Sequence, residues 1–115
     1  MIASAYREFL ELAAKAAEKD IDQDRYDEDD GFAIRDMSIW WNPFEDDGDA
    51  FRLSVKLKLD ISHYSFEREP YVQVSHESNR DIMAIVSYDL DSYAATRRAI
   101  VIAAAQIGAD TGNET

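Results

Sequence analysis

The sequence predicts an α+β domain: an N-terminal helix, a four-stranded antiparallel meander sheet and a C-terminal helix, both helices on one sheet face. Three observations lead there. Apolar residues recur at helical spacing near both ends, and residues 51–61 alternate apolar and polar like a half-buried strand. The segments between them are joined by short connections, which favours an up-and-down order.

Ser4 stands as the N-cap of a first helix running to about Lys19. Tyr6, Phe9, Leu10, Leu12, Ala13, Ala16 and Ala17 form its apolar face, while Arg7, Glu8, Glu11, Lys15 and Glu18 point outward. An acidic connector follows, and Gly31 opens a strand to about Trp41. Its parity changes between Ile34 and Met37, so a bulge is expected near Asp36. Asn42-Pro43 ends the strand and Glu45 to Asp49 reads as a turn. Phe51, Leu53, Val55, Leu57, Leu59 and Ile61 then alternate with Arg52, Ser54, Lys56, Lys58 and Asp60, giving a second strand with a mildly basic open face.

Tyr71 to His76 and Ile82 to Tyr88 supply the third and fourth strands, joined by a turn at 77–81. Asp89 or Asp91 caps a last helix, about Ser92 to Ile107, which Gly108 stops. Residues 1–108 thus read as one domain and 109–115 as a frayed polar tail. The run Ala99 to Ala105 is apolar nearly all round, so it must be covered on more than one side. Either the first helix covers it, or the chain is a homodimer through the Ala99-Ala105 helix rather than a monomer.

A hydrophobic content of 46% supports a folded core despite the strong charge. The absence of cysteine excludes disulfides and thiolate chemistry and fits a cytoplasmic location. Arg7 and Glu8 come too early for a secretory signal, and no apolar run is long enough to span a membrane.

The net charge is −12, and it is concentrated. Glu18, Asp20, Asp22, Asp24, Asp27, Glu28, Asp29 and Asp30 stand against Lys19 and Arg25, a net −6. Glu45, Asp46, Asp47 and Asp49 add −4. Such a surface repels nucleic acid and anionic lipid and attracts basic proteins. With a strand of about ten residues between them, the two acidic segments should lie on the order of 30 Å apart.

Asp20-Ile21-Asp22-Gln23-Asp24 opens like a calcium loop, but the motif needs glycine at position six and a bidentate glutamate at position twelve. Arg25 and Gly31 stand there instead. His76-Glu77 lacks the second histidine of a zinc-protease helix, since Arg80 occupies its place. His63 should lie roughly 20 Å from His76 across a hairpin. Neither a nucleophile elbow nor a phosphate-binding glycine loop is present. No catalytic residue, metal or cofactor is therefore expected. Trp40 and Trp41 are neighbours on a strand, so they point to opposite faces: one must sit on the open face or under another element, and an exposed tryptophan ringed by charge reads as an interface anchor.

These features point to a non-enzymatic protein that binds and inhibits a basic nucleic-acid-handling partner, such as a nuclease. The partner-binding residues are Asp20, Asp22, Asp24, Asp27, Glu28, Asp29, Asp30, Trp40, Trp41, Glu45, Asp46, Asp47 and Asp49, the acids taking the place of phosphates. Phage anti-defence inhibitors, anti-CRISPR proteins among them, and nuclease immunity proteins are analogies of charge and size. Two alternatives remain. Dimeric secretion chaperones are also small and acidic, but this sequence reads without their middle helix and fifth strand. A phage structural or assembly component is the other.

Overall fold

The computed structural model describes residues 3–76, 81–89 and 91–112. Among them are three helices and six strands, in the order α1 (Ala3–Ala17), β1 (Ile21–Asp27), β2 (Gly31–Ile34), β3 (Trp40–Trp41), α2 (Asp47–Lys56), β4 (Leu59–Tyr64), β5 (Tyr71–His76), β6 (Ile82–Ser87) and α3 (Ser92–Gly112). The strands form two separate antiparallel sheets, β1-β2-β3 and β4-β5-β6. The single four-stranded meander with two helices is therefore wrong, and two local misreadings account for it.

The first concerns residues 31–41, which look like one long bulged strand. The chain reverses there instead. Asp36 takes a left-handed φ of 62°, and the Ile34 N–H donates to the Ile39 carbonyl at 2.9 Å. Trp40–Trp41 returns beside β2, placing Trp41 opposite Phe32 and Trp40 opposite Ala33. Aspartate enters the left-handed region more readily than most residues, so the change of parity marks a turn. On the other side of β2, the expected acidic connector is strand β1, with Asp27 opposite Gly31.

The second misreading is helix α2, expected as a turn and the start of a strand. The Asp46 carboxylate accepts from the Asp49 N–H at 2.8 Å, and Asp47 and Asp49 occupy the first turn, where the helix dipole favours negative charge. The alternation of residues 51–61 hides a second spacing, Ala50, Leu53, Ser54 and Leu57, which is helical and faces inward. A satisfied cap and an apolar stripe outweigh the strand pattern. Lys58, with φ 55°, turns the chain into β4. Phe51 and Val55, expected in the core, are left 67% and 59% exposed.

Helix ends differ as well. Ser4 lies within α1 rather than before it, and α1 stops at Ala17, where Glu18 adopts φ 57°. Asp91 does cap α3, its Oδ1 accepting from Tyr93 and Ala94 N–H. However, α3 runs through Gly108 to Gly112, so residues 109–112 of the expected tail are helical. Residues 113–115 of that tail, and 77–80 of the expected turn, lie outside the described residues.

Helix α3 is the centre of the fold, which explains its all-round apolarity. Ile100, Val101 and Ala104 pack with α1, α2 and the first sheet. Ala95, Ala99 and Ala103 pack against β5 and β6, while Leu59 and Ile61 of β4 touch both cores. Ala13, Ala14 and Ala17 let α1 come close. A Cβ added at Gly108 would stand 1.9 Å from the Leu12 carbonyl oxygen. Among the described residues the Ala99-Ala105 run is thus covered within one chain, Ile102 alone being half-buried rather than buried.

Candidate functional site

The β1–β2 hairpin carries the longer acidic segment and folds around Asp27. Its Oδ2 accepts from the N–H groups of Asp29 and Asp30, each at 3.0 Å, which closes the tip. Gly31 follows with φ 83°, and a Cβ there would lie 2.2 Å from the Trp41 carbonyl oxygen. The tip therefore presses against the end of β3, and only glycine leaves room for it.

Asn42, buried, ties this tip to the second acidic segment. Its Nδ2 donates to the Asp29 carbonyl at 3.0 Å, its Oδ1 accepts from the Phe44 N–H at 3.1 Å, and its own N–H donates to Asp49 Oδ2 at 2.9 Å. The reversal at Asp36 and this tie bring together two segments that a straight strand would hold about 30 Å apart. Glu28, Asp29 and Glu45 rim one cavity of about 250 Å³, whose walls include Tyr6, Tyr26 and Phe44. The Tyr6 and Phe44 rings meet edge to face at 4.7 Å.

Burial, followed by the charge of Glu28, raises the Tyr26 phenol above its ordinary 10.0; Arg7 opposes the shift and Asp27 adds to it. Arg7 is fully engaged. Its guanidinium lies over the Tyr26 ring at 5.1 Å, and it bonds Glu11 at 3.1 Å and the Gln23 carbonyl at 2.9 Å.

The acids divide by partner. Asp20 pairs with Arg35 at 3.0 Å, Asp22 approaches Arg25 at 4.0 Å, Asp47 pairs with Arg97 at 2.7 Å, and Asp49 pairs with Arg52 at 2.8 Å. Asp46 serves α2 as its cap and approaches Arg52 at 4.0 Å. Asp24, Asp27, Glu28, Asp29, Asp30 and Glu45 form no ion pair among the described residues. All of these six but Asp24 belong to the hairpin tip and the rim facing it. The set named from sequence therefore divides into a structural group and an uncompensated patch.

Trp41 is 3% exposed and packs in the core, whereas Trp40 is 40% exposed beside Met37 and Ile39. The Arg25 guanidinium covers part of Trp40, 5.8 Å from the ring. Among the described residues no three histidine, aspartate or glutamate side chains are placed to share a metal. His63 faces Val72 and His76 faces Leu59, roughly 13 Å apart along the hairpin rather than 20 Å. His63 Nδ1 is hydrogen-bonded to the Tyr88 hydroxyl.

A second cavity, about 490 Å³, opens between α2, β4 and α3, with Phe51, Ile61, Tyr93 and Ile100 in its lining. Sequence reasoning finds neither cavity. The cap Asp46-Asp47-Gly48-Asp49 would have revealed α2 and hence the larger one, but nothing local marks Asn42 as the tie behind the smaller. Comparison with protein-family models, curated proteins and solved structures found no match.

Proposed function

We propose that this protein binds, and thereby inhibits, a basic nucleic-acid-handling protein by presenting carboxylates where that partner meets phosphates. One observation carries the reading: two acidic segments converge on one edge, and among the described residues Glu28, Asp29, Asp30 and Glu45 form no ion pair there. Uncompensated acids repel one another, and a basic partner relieves that repulsion while the long-range field speeds its approach. The aromatic walls of the cavity suit the alkyl stem and planar head of an arginine.

The test is competition. The immobilised protein should capture a basic nucleic-acid-binding protein from a host lysate, and duplex DNA should release it. The variant Glu28→Gln, Asp29→Asn, Asp30→Asn, Glu45→Gln should lose the capture while keeping Asp27, which builds the turn. Equal capture by the variant, or a complex that DNA does not displace, overturns the proposal.

A secretion-type chaperone is the second reading, and helix α2 favours it. A middle helix and more than four strands, which the sequence reading lacks, are present, and α2 exposes Phe51 and Val55. It requires binding of an unfolded client that survives high salt, unlike the acidic-patch complex.

A further inference from the structure

We infer that the free edge of β6 is a self-association surface, on which a second copy of this chain pairs antiparallel to join two three-stranded sheets into one of six strands. This goes beyond the acidic-patch reading and uses a different part of the molecule, packed on the second core rather than the first. In the sheet β4-β5-β6, β6 is an outer strand, hydrogen-bonded on one side to β5. No described residue pairs with its other side through a strand.

Outer strands are ordinarily protected by charge, proline or brevity. The other two long outer strands follow that rule. β1 carries Asp22, Asp24, Arg25 and Asp27, and β4 carries Asp60. β6 reads Ile82-Met83-Ala84-Ile85-Val86-Ser87, with no charge, proline or glycine. Its one irregularity is a register shift against β5 between Val74 and Ser75, which leaves Ala84 to Ser87 in regular pairing. Ile85 is 58% exposed on the face away from α3.

Symmetry selects the occupant. An antiparallel pair about a two-fold axis at Ile85 sets Ile85 against its own copy and Ala84 against Val86 of the partner subunit. Every side chain then keeps its face, with α3 beneath Ala84 and Val86 in both copies. An uncharged strand offers a foreign strand no charge pattern to recognise, but it is complementary to itself.

Charge opposes the pairing at its two ends, where the same register brings Asp81 toward Asp89 of the partner subunit. β6 packs solely on the second core, whereas the hairpin tip and the start of α2 belong to the first. Most of the −12 is thus carried by segments that pack on the first core rather than on β6. Asp81 and Asp89 flank the strand, so added salt should strengthen the dimer. Binding of a basic partner should respond in the opposite sense, which separates the two claims.

The experiment is light scattering of the full chain over a range of concentration at low and high salt. The expected mass rises from 13.1 kDa toward twice that value, more readily at high salt. Ile85→Lys should stay monomeric with an unchanged circular dichroism spectrum, and Ile85→Thr provides a milder break should the lysine variant misfold. The chain has no cysteine, so Ile85→Cys reports directly. Across the two-fold axis its Cβ atoms should stand about 4.5–5.5 Å apart, and it should oxidise to a dimer much faster than Ser62→Cys on β4. A monomer under all conditions, a dimer unaffected by both Ile85→Lys and Ile85→Thr, or equal oxidation of the two cysteines overturns the inference.

Discussion

Gly108→Ala gives a test whose sign differs between sequence and structure. Glycine inside a helix costs about 1 kcal/mol relative to alanine, and Gly108 lies inside α3. On propensity alone the substitution stabilises. The structure predicts the reverse, because the new Cβ would stand 1.9 Å from the Leu12 carbonyl oxygen and 2.8 Å from its carbon. The obstacle is backbone, so no rotamer change relieves it, and α1 must move by more than an ångström along an alanine-lined seam.

Overpacking of this kind costs about 3 kcal/mol, the upper end of its usual range. Set against the propensity gain, the net loss is roughly 2 kcal/mol. At about 4 °C per kcal/mol for a chain of this length, the midpoint should fall by about 8 °C. Gly48→Ala is the control, since its nearest neighbours are the side-chain ends of Arg52 and Asp46 at 3.2 Å. It should melt close to the parent. Thermal unfolding followed by circular dichroism decides. A Gly108→Ala protein that melts at or above the parent would refute the close crossing of α1 and α3.

Three further outcomes follow from the same geometry. Trp41→Ala should lose about 3–5 kcal/mol in urea unfolding, whereas Trp40→Ala should lose under about 1 kcal/mol, and equal losses would contradict their opposite facing. The Tyr26 phenol holds its proton above the ordinary value of 10.0, so the folded state keeps a proton that the unfolded chain releases. Stability is then full below pH 10.0 and declines as the pH rises through the folded value. Glu28→Gln should move the Tyr26 titration, read by ultraviolet difference spectra, back toward the ordinary range. Arg97 donates to the Phe44 carbonyl and to Asp47, both at 2.7 Å. Arg97→Ala should cost about 1–3 kcal/mol by urea unfolding, with no loss if that tie is unimportant.

How much of this was legible depends on how local the cause is. The spacing that makes α1, β5, β6 and α3 is written in short windows, and so is the Asp91 cap. The sheet division was not, because alternation at residues 51–61 coexists with a helical stripe, and the Asp46 cap chooses between them. The concentration of acid was visible as composition, but its convergence was not. That needed a turn at Asp36, a glycine at 31 with room for nothing larger, and the Asn42 side chain reaching back to Asp29. Gly108 shows the same limit. Near a chain end it resembles a helix stop, yet its role is set by Leu12, far away in sequence.

The central claim is that the hairpin tip and Glu45 act as one acidic surface for a basic partner. The most direct measurement is the affinity of an arginine-rich peptide for the parent and for the Glu28→Gln, Asp29→Asn, Asp30→Asn, Glu45→Gln variant, each titrated over a range of salt. The account predicts that parent binding weakens steeply with salt and that the variant loses most of both the affinity and the slope. Identical affinity and slope for the two proteins would contradict it.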